Sequence, residues 1–211
     1  MPDLRRLASL AKHALVFELN IYKSLLRWVA RRPSVPEGTE PVGYAQNATP
    51  VIWLWIFASA MELPLVHVLI PWDTVRIVGL VIGIWGLLWM LGMLAGLRTY
   101  PHLVGEKVLR VRNGAMHDIH VPWAAIDSIG YQDRALDSSV WTLQPRETAG
   151  GTDLQVATSG RVNVHAKLRR PMWVQTRKGD MEIAEISFWT DNPREFVARV
   201  RPLLAAKRRS A

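Results

Sequence analysis

Two long apolar runs separated by only four residues constrain the fold of this chain more than any other feature. Residues 51–70 match the ~20 residues that an α-helix needs to cross a hydrocarbon core, and their only ionisable members are Glu62 and His67. Residues 75–97 form the second run and carry one charge, Arg76. Because the link is so short, the two helices must be antiparallel neighbours. The sequence predicts a transmembrane hairpin rather than two buried core helices.

The distribution of charge predicts how this hairpin is oriented. Lysine and arginine are frequent before the first run and after the second, whereas the short link offers only Arg76 with Asp73 beside it. Since cytoplasmic segments of membrane proteins carry an excess of basic residues, both termini are expected in the cytoplasm. The chain contains no cysteine, which agrees with a reducing compartment.

Glycines in the second run predict close helix contacts, because small residues allow membrane helices to approach each other. They fall on two faces: one carries Gly79, Gly83 and Gly86, and the other carries Gly92 and Gly96. The first face would hold the other helix of the hairpin. The second face would hold a partner protein or a second copy of this chain.

Glu62 is the most unusual residue of the hairpin, because a carboxyl group near the bilayer centre is costly unless it is neutral or paired. We favour a structural role, in which a protonated Glu62 bonds across the helix pair to an indole such as that of Trp85. The alternative is that the protein belongs to a transport or proton-linked complex that uses Glu62. His67 lies about 140° around an ideal helix from Glu62, so the two do not form one relay face.

Residues 1–49 are expected to form a basic amphipathic helix and a Pro-rich linker that begins at Pro33. The polar residues up to Arg32 share one arc, and Glu18 alone lies off it. This pattern is typical of a helix on an anionic membrane surface. The alternative is that its wide apolar face docks on the hairpin or on the soluble domain. The residues that would contact lipid headgroups are Arg5, Arg6, Lys12, Lys23, Arg27 and Arg31.

The hairpin occupies residues 50–98, and residues 99–211 show the alternation of β-strands. Asn113 and Gly114 indicate a tight turn between two strands. Further strands are expected at 126–132, 154–158, 161–168, 172–177 and 182–189, which makes about seven. Asn192, Pro193 and Glu195 then mark the start of a closing helix.

Seven strands followed by one helix resemble the pleckstrin-homology (PH) superfold, and in particular bacterial PH-like domains that follow a pair of membrane helices. The likeness is carried by VLRVRNGAMHDIHVPWAAIDSIG at 108–130 and FWTDNPREFVARV at 188–200. The resemblance implies an α+β membrane protein of a bacterial inner membrane, with a seven-stranded PH-like domain in the cytoplasm. The first hairpin loop lacks the basic residues with which PH domains grip inositol phosphates.

The sequence of this domain shows no catalytic constellation. His117 and His120 would lie on opposite faces of a strand, so no metal centre is expected. Ser138 and Ser139 have no identifiable base, and no phosphate-binding loop is present. We therefore expect neither an enzyme nor a cofactor.

One row of alternating residues offers a surface for a partner, either a protein or the anionic membrane surface itself. The chain is basic, with a formal net charge of +8, but no aromatic stacking platform accompanies the charge, so nucleic acid is not expected as a partner. The sequence thus predicts a non-enzymatic, membrane-anchored scaffold or interaction module. Its expected partner face consists of Arg161, Asn163, His165, Lys167 and Arg169.

Overall fold

The computed structural model describes residues 2–136, 143–176 and 179–209, with the side chains of 2–10, 13 and 206–209 outside the description. The chain divides into two compact units. The helical unit comprises Met1–Pro33 and Thr49–Thr99, and the β domain comprises Ser34–Ala48 and Tyr100–Ala211. The N-terminal helix therefore groups with the hairpin, whereas the segment expected to be a linker groups with the β domain.

Three helices form the helical unit: α1 (Pro2–Val29), α2 (Thr49–Leu69) and α3 (Asp73–Thr99). By length and composition α2 and α3 are able to cross a membrane, as the sequence predicts. They are antiparallel neighbours. A Cβ atom on Gly79 would lie 3.1 Å from Val66 Cγ1, and one on Gly83 would overlap Leu63 Cδ2, whereas one on Gly86 would meet nothing within 4 Å.

The N-terminal helix packs along α3, and the two helices run in the same direction. Phe17 meets Trp89 edge to face with ring centroids 6.0 Å apart, Ile21 lies against Gly92, and Trp28 lies beside Arg98. The packing of α1 along α3 over this length agrees with the docked alternative, in which the apolar face of α1 lies on the hairpin. The N-terminal end of α1 points towards the loop between α2 and α3.

The β domain contains two sheets and a closing helix, α4 (Pro193–Arg209). The strands are β1 (Thr39–Val42), β2 (His102–Gly105), β3 (Val108–Asn113), β4 (His117–Pro122), β5 (Ile126–Ala135), β6 (Leu143–Thr148), β7 (Gly151–Val156), β8 (Arg161–Thr176) and β9 (Gly179–Phe188). One sheet has the order β1-β2-β3-β4 and is antiparallel throughout; the other has the order β5-β8-β9-β7-β6, in which only β7 and β9 are parallel.

The predicted α+β class is confirmed, but the described residues form nine strands instead of about seven. Strand β1 lies inside the segment expected to be a linker. It tolerates Pro41 because it is at the edge of its sheet, where a strand can do without one backbone donor. Strand β8 covers two predicted strands, since an irregularity between Lys167 and Met172 bends it without ending it.

The hairpin and helix signals of the sequence correspond to real turns and caps. Gly114 has a positive φ of 57° in the β3–β4 turn, a conformation that favours glycine. The backbone N–H of Phe196 donates to the carbonyl of Asn192 at 3.0 Å in the first turn of α4. The side chains of Phe196 and Val200 are buried against the sheet core together with Trp123 and Phe188.

A buried histidine connects the two parts of the β domain. His102 Nε2 donates to the carbonyl of Trp189 at 2.8 Å, its Nδ1 accepts the N–H of Arg112 at 2.9 Å, and its ring stacks on Tyr44 at 4.4 Å. Burial lowers the pKa of His102 to about 4, so the ring is neutral near pH 7. The Tyr44 hydroxyl accepts the N–H of Gly114 at 2.7 Å, which ties the segment after β1 to the β3–β4 turn.

Candidate functional site

A cluster of polar side chains lies across four neighbouring strands of the five-stranded sheet. The register places Asp153 beside Glu185, and Ser187 beside both Gln155 and His165. Side chains in register on adjacent strands point to the same face, so these groups converge, while Leu154 and Ile186 point to the core on the other face. We call this group the polar cluster: Arg134, Asp153, Gln155, His165, Lys167, Glu185 and Ser187.

Asp153 is the centre of the polar cluster and is completely buried. Its Oδ1 accepts the Ser187 hydroxyl at 2.9 Å. Its Oδ2 accepts Arg134 at 3.0 Å and the amide of Gln155 at 3.1 Å. A buried carboxylate needs partners of this kind, because an unpaired charge in a protein interior is strongly unfavourable.

His165 connects Ser187 to a second carboxylate, that of Glu185. His165 Nδ1 lies 3.0 Å from Ser187 Oγ, and His165 Nε2 lies 3.6 Å from Glu185 Oε2. Since the hydroxyl donates to Asp153, the bond from His165 requires that Nδ1 carries a proton and donates to Ser187. Lys167 Nζ lies 3.8 Å from the other oxygen of Glu185.

The polar cluster has the residue types of a catalytic triad but not its connections. In a triad the acid orients the histidine, and the histidine accepts the proton of the serine. Here Asp153 bonds to Ser187 instead of His165, and Nδ1 of His165 donates to the serine. Ser187 is also fully buried. This arrangement holds the serine in place and does not activate it as a nucleophile.

The polar cluster also contains three residues of types that bind metals. Ligand atoms of Asp153, His165 and Glu185 all lie within 4.8 Å of one another, and their types suit several divalent metals. The two carboxylates, however, are already balanced by the charges of Arg134 and Lys167. The geometry therefore fits a buried ion-pair network better than a metal centre.

Sequence reasoning found only two members of the polar cluster, His165 and Lys167. The missed signal was an alternation of polar residues in two strands, with Asp153 and Gln155 in one and Glu185 and Ser187 in the other. The alternation becomes meaningful only when β7 and β9 are known to pair in parallel.

The predicted partner face is only partly exposed. Asn163 is buried and exchanges two hydrogen bonds with the backbone of Thr190, at 2.7 and 2.8 Å. Arg161 forms an ion pair with Asp133 at 2.6 Å. Lys167 and Arg169 are exposed, and His165 is half-buried in the polar cluster.

Glu62 and His67 are both exposed on α2. The indole of Trp85, suggested as a partner of Glu62, donates instead to Glu18 at 3.0 Å and to the Tyr22 hydroxyl at 2.7 Å. Glu18, the residue that lies off the polar arc of α1, therefore faces α3. A transport role for Glu62 stays a prediction.

The second glycine face of α3 is occupied by α1, because Gly92 contacts Ile21 and Gly96 is buried. A second copy of this chain is therefore not needed to cover it. In the basic arc, Lys12, Lys23 and Arg31 are exposed and Arg27 is half-buried. Four residues considered above lie outside the described side chains: Arg5, Arg6, Ser138 and Ser139.

No known protein family, curated protein or solved structure matches this chain. The class of protein is therefore defined by the structure alone. Two helices able to cross a membrane are joined to an α+β domain with sheets of four and five strands.

Proposed function

We propose that the protein is a membrane-anchored interaction module. In this proposal the α2–α3 hairpin anchors a PH-like β domain at the cytoplasmic face of a bacterial inner membrane, where that domain binds an acidic protein partner. The observation that carries the proposal is the exposure of Trp173 on strand β8, the strand that also exposes Arg169 and Arg170.

Trp173 is 66% exposed, more than any other large hydrophobic residue in the described part of the β domain. It lies near the irregularity of β8, where Arg169 and Arg170 are also exposed. Tryptophan and arginine are the residue types that most often dominate the energy of protein interfaces. The two guanidinium groups favour a partner with carboxylates around an apolar pocket. An anionic membrane surface is the competing occupant.

Site-directed cross-linking tests this surface, and the absence of cysteine in the chain makes single-cysteine variants straightforward. A photoreactive probe on Gln175→Cys, introduced into the full-length protein in its own membranes, is expected to capture one discrete protein. Adding Trp173→Ala and Arg170→Ala should reduce that product at least tenfold, because hot-spot residues each contribute ~2 kcal/mol or more.

The matched control adds Leu203→Ala and Arg201→Ala, which also remove one exposed apolar and one exposed basic side chain. The control should leave the product unchanged. Equal loss in both variants, or adducts with lipid alone, would contradict a protein partner at Trp173.

The orientation is a separate part of the proposal. The positive charge after α3 supports a cytoplasmic β domain. The parallel packing of α1 on α3 then supports an N-terminus on the opposite side, which differs from the orientation expected from charge alone. In intact spheroplasts an impermeant maleimide should label Asp3→Cys and Thr74→Cys, and should label Gln175→Cys only after lysis. If Asp3→Cys were labelled only after lysis, the result would support the orientation expected from charge, with both termini in the cytoplasm.

A further inference from the structure

A basic cleft of about 600 Å³ lies where α1 and α3 end side by side. Arg27, Trp28, Arg31 and Arg32 line it from α1 and the turn that follows, and Arg98 and Thr99 line it from α3. Since Arg98 directly follows the apolar residues of α3, the cleft lies at the level where lipid headgroups begin. We call it the arginine cleft.

Three arginines of the arginine cleft form no ion pair with a described residue. Four arginines line it, and its lining includes no described carboxylate. None of the ion pairs between described residues involves Arg31, Arg32 or Arg98. The Arg98 guanidinium lies 5.9 Å from the ring centroid of Trp28, which leaves its N–H edge able to donate to a ligand.

The simplest explanation for arginines at this place is that they cap the two helix C-termini. The backbone, however, already caps α1: the N–H of Arg31 donates to Trp28 at 3.0 Å and that of Arg32 donates to Arg27 at 2.9 Å. Two helix C-termini carry together about one negative charge, since each macrodipole contributes roughly half a charge. Arg31, Arg32 and Arg98 alone carry three positive charges, which exceed that negative charge, so the cleft keeps a strong attraction for an anion.

A second, independent feature of the cleft indicates a ligand. Thr99 is only 2% exposed, and its Oγ1 has no hydrogen-bond partner among the described residues. Buried hydroxyl groups are almost always bonded, because desolvation without a partner is costly. Thr99 is part of the lining of the cleft, so a rotation of its side chain towards a bound phosphate would give the hydroxyl the acceptor that it lacks.

We infer that the arginine cleft binds the phosphate group of an anionic phospholipid. Arginine forms paired, charge-assisted hydrogen bonds with phosphate, and basic pockets between membrane helices bind anionic headgroups. The acyl chains of the lipid would continue along the apolar surface of the helices. Bound lipid would join the C-terminal ends of α1 and α3. This site is distinct from the surface around Trp173.

Lipid retention by the full-length protein tests the inference. The protein is reconstituted in phosphatidylcholine nanodiscs that contain or lack phosphatidylglycerol, and native mass spectrometry counts the phosphatidylglycerol retained on gentle release. The wild type should retain one molecule and melt at a higher temperature when phosphatidylglycerol is present. Arg31→Gln with Arg98→Gln should weaken retention by about tenfold for each arginine, because a charge-assisted hydrogen bond has about that effect.

Two controls distinguish a specific lipid-binding site from nonspecific electrostatic attraction and from destabilisation of the fold. Arg76→Gln with Arg201→Gln removes the same charge elsewhere and should retain the lipid as the wild type does; equal loss would overturn the proposal. Thr99→Val should reduce the lipid-dependent rise in melting temperature while leaving the protein in pure phosphatidylcholine at least as stable, because it removes one hydrogen bond to the phosphate and an unpaired buried hydroxyl. Inorganic phosphate that reproduced the full rise would overturn a lipid source.

Discussion

Replacing Asp153 by alanine is expected to lower the free energy of unfolding of the β domain by about 3 kcal/mol, the lower end of the cost of breaking a buried ion pair from one side, because Arg134 is 32% exposed. The change removes the acceptor of Arg134, Gln155 and Ser187 together. Arg134 would then hold an uncompensated charge against a buried face. Hydrogen exchange of β7 and β9 in the full-length protein, with the thermal unfolding midpoint, measures the effect.

Asp133→Ala is the matched control, because Asp133 also pairs with an arginine but is 53% exposed. An exposed ion pair contributes about 0–1 kcal/mol, so this variant should behave nearly as the wild type does. Equal destabilisation by the two variants would contradict the central role of Asp153. A chelator that lowered the wild-type midpoint to that of Asp153→Ala would indicate a cation in place of the ion-pair network.

Replacing Gly92 by alanine is expected to separate α1 from α3. A Cβ atom there would overlap Cγ2 of Ile21 and lie 3.0 Å from its carbonyl oxygen. The backbone oxygen cannot rotate away, and the branched side chain of Ile21 has few alternative rotamers in a helix. Overpacking of this kind costs about 1–3 kcal/mol. Faster hydrogen exchange in α1 and a lower melting temperature in detergent would report the change.

The matched control is Gly86→Ala, since a Cβ atom at Gly86 meets nothing within 4 Å. This variant should melt at or above the wild-type temperature, because alanine is the better helix former. If the two substitutions had the same effect, α1 would not pack on the Gly92 face in solution.

Much of the architecture is predictable because it depends on local patterns. The spans expected at 51–70 and 75–97 correspond to Thr49–Leu69 and Asp73–Thr99, since length and apolar composition alone are enough to recognise them. The turn at Gly114 and the start of α4 near Asn192 are also local signals. Strands β1 and β2 were missed because each has only four residues, and β1 and β6 each contain a proline.

The candidate site was much less predictable, because its members come from four strands that are distant in sequence. Asp153 becomes the centre of a network only because β7 and β9 pair in parallel. The pattern of residues along the sequence does not predict this pairing. Asn163 shows the same limit: alternation placed it on an outer face, yet its amide pairs with the backbone of Thr190.

The arginine cleft, like the polar cluster, could not be predicted from local sequence patterns. Arg27 and Arg31 stood out in the sequence as members of a basic arc, whereas Arg98 and Thr99 carried no signal of their own. Only the docking of α1 along α3 brings the four residues together.

The sequence by itself determined that this chain has a hairpin of two long apolar helices and a mixed β domain. The length of an apolar run and the alternation of residues in a strand are local patterns, and both are visible in the order of the residues. Tertiary structure alone decided that α1 docks along α3, that Glu18 faces Trp85, and that Asp153 is buried in an ion-pair network. These outcomes depend on which surfaces pack together, and that choice is made by long-range contacts that no local pattern encodes.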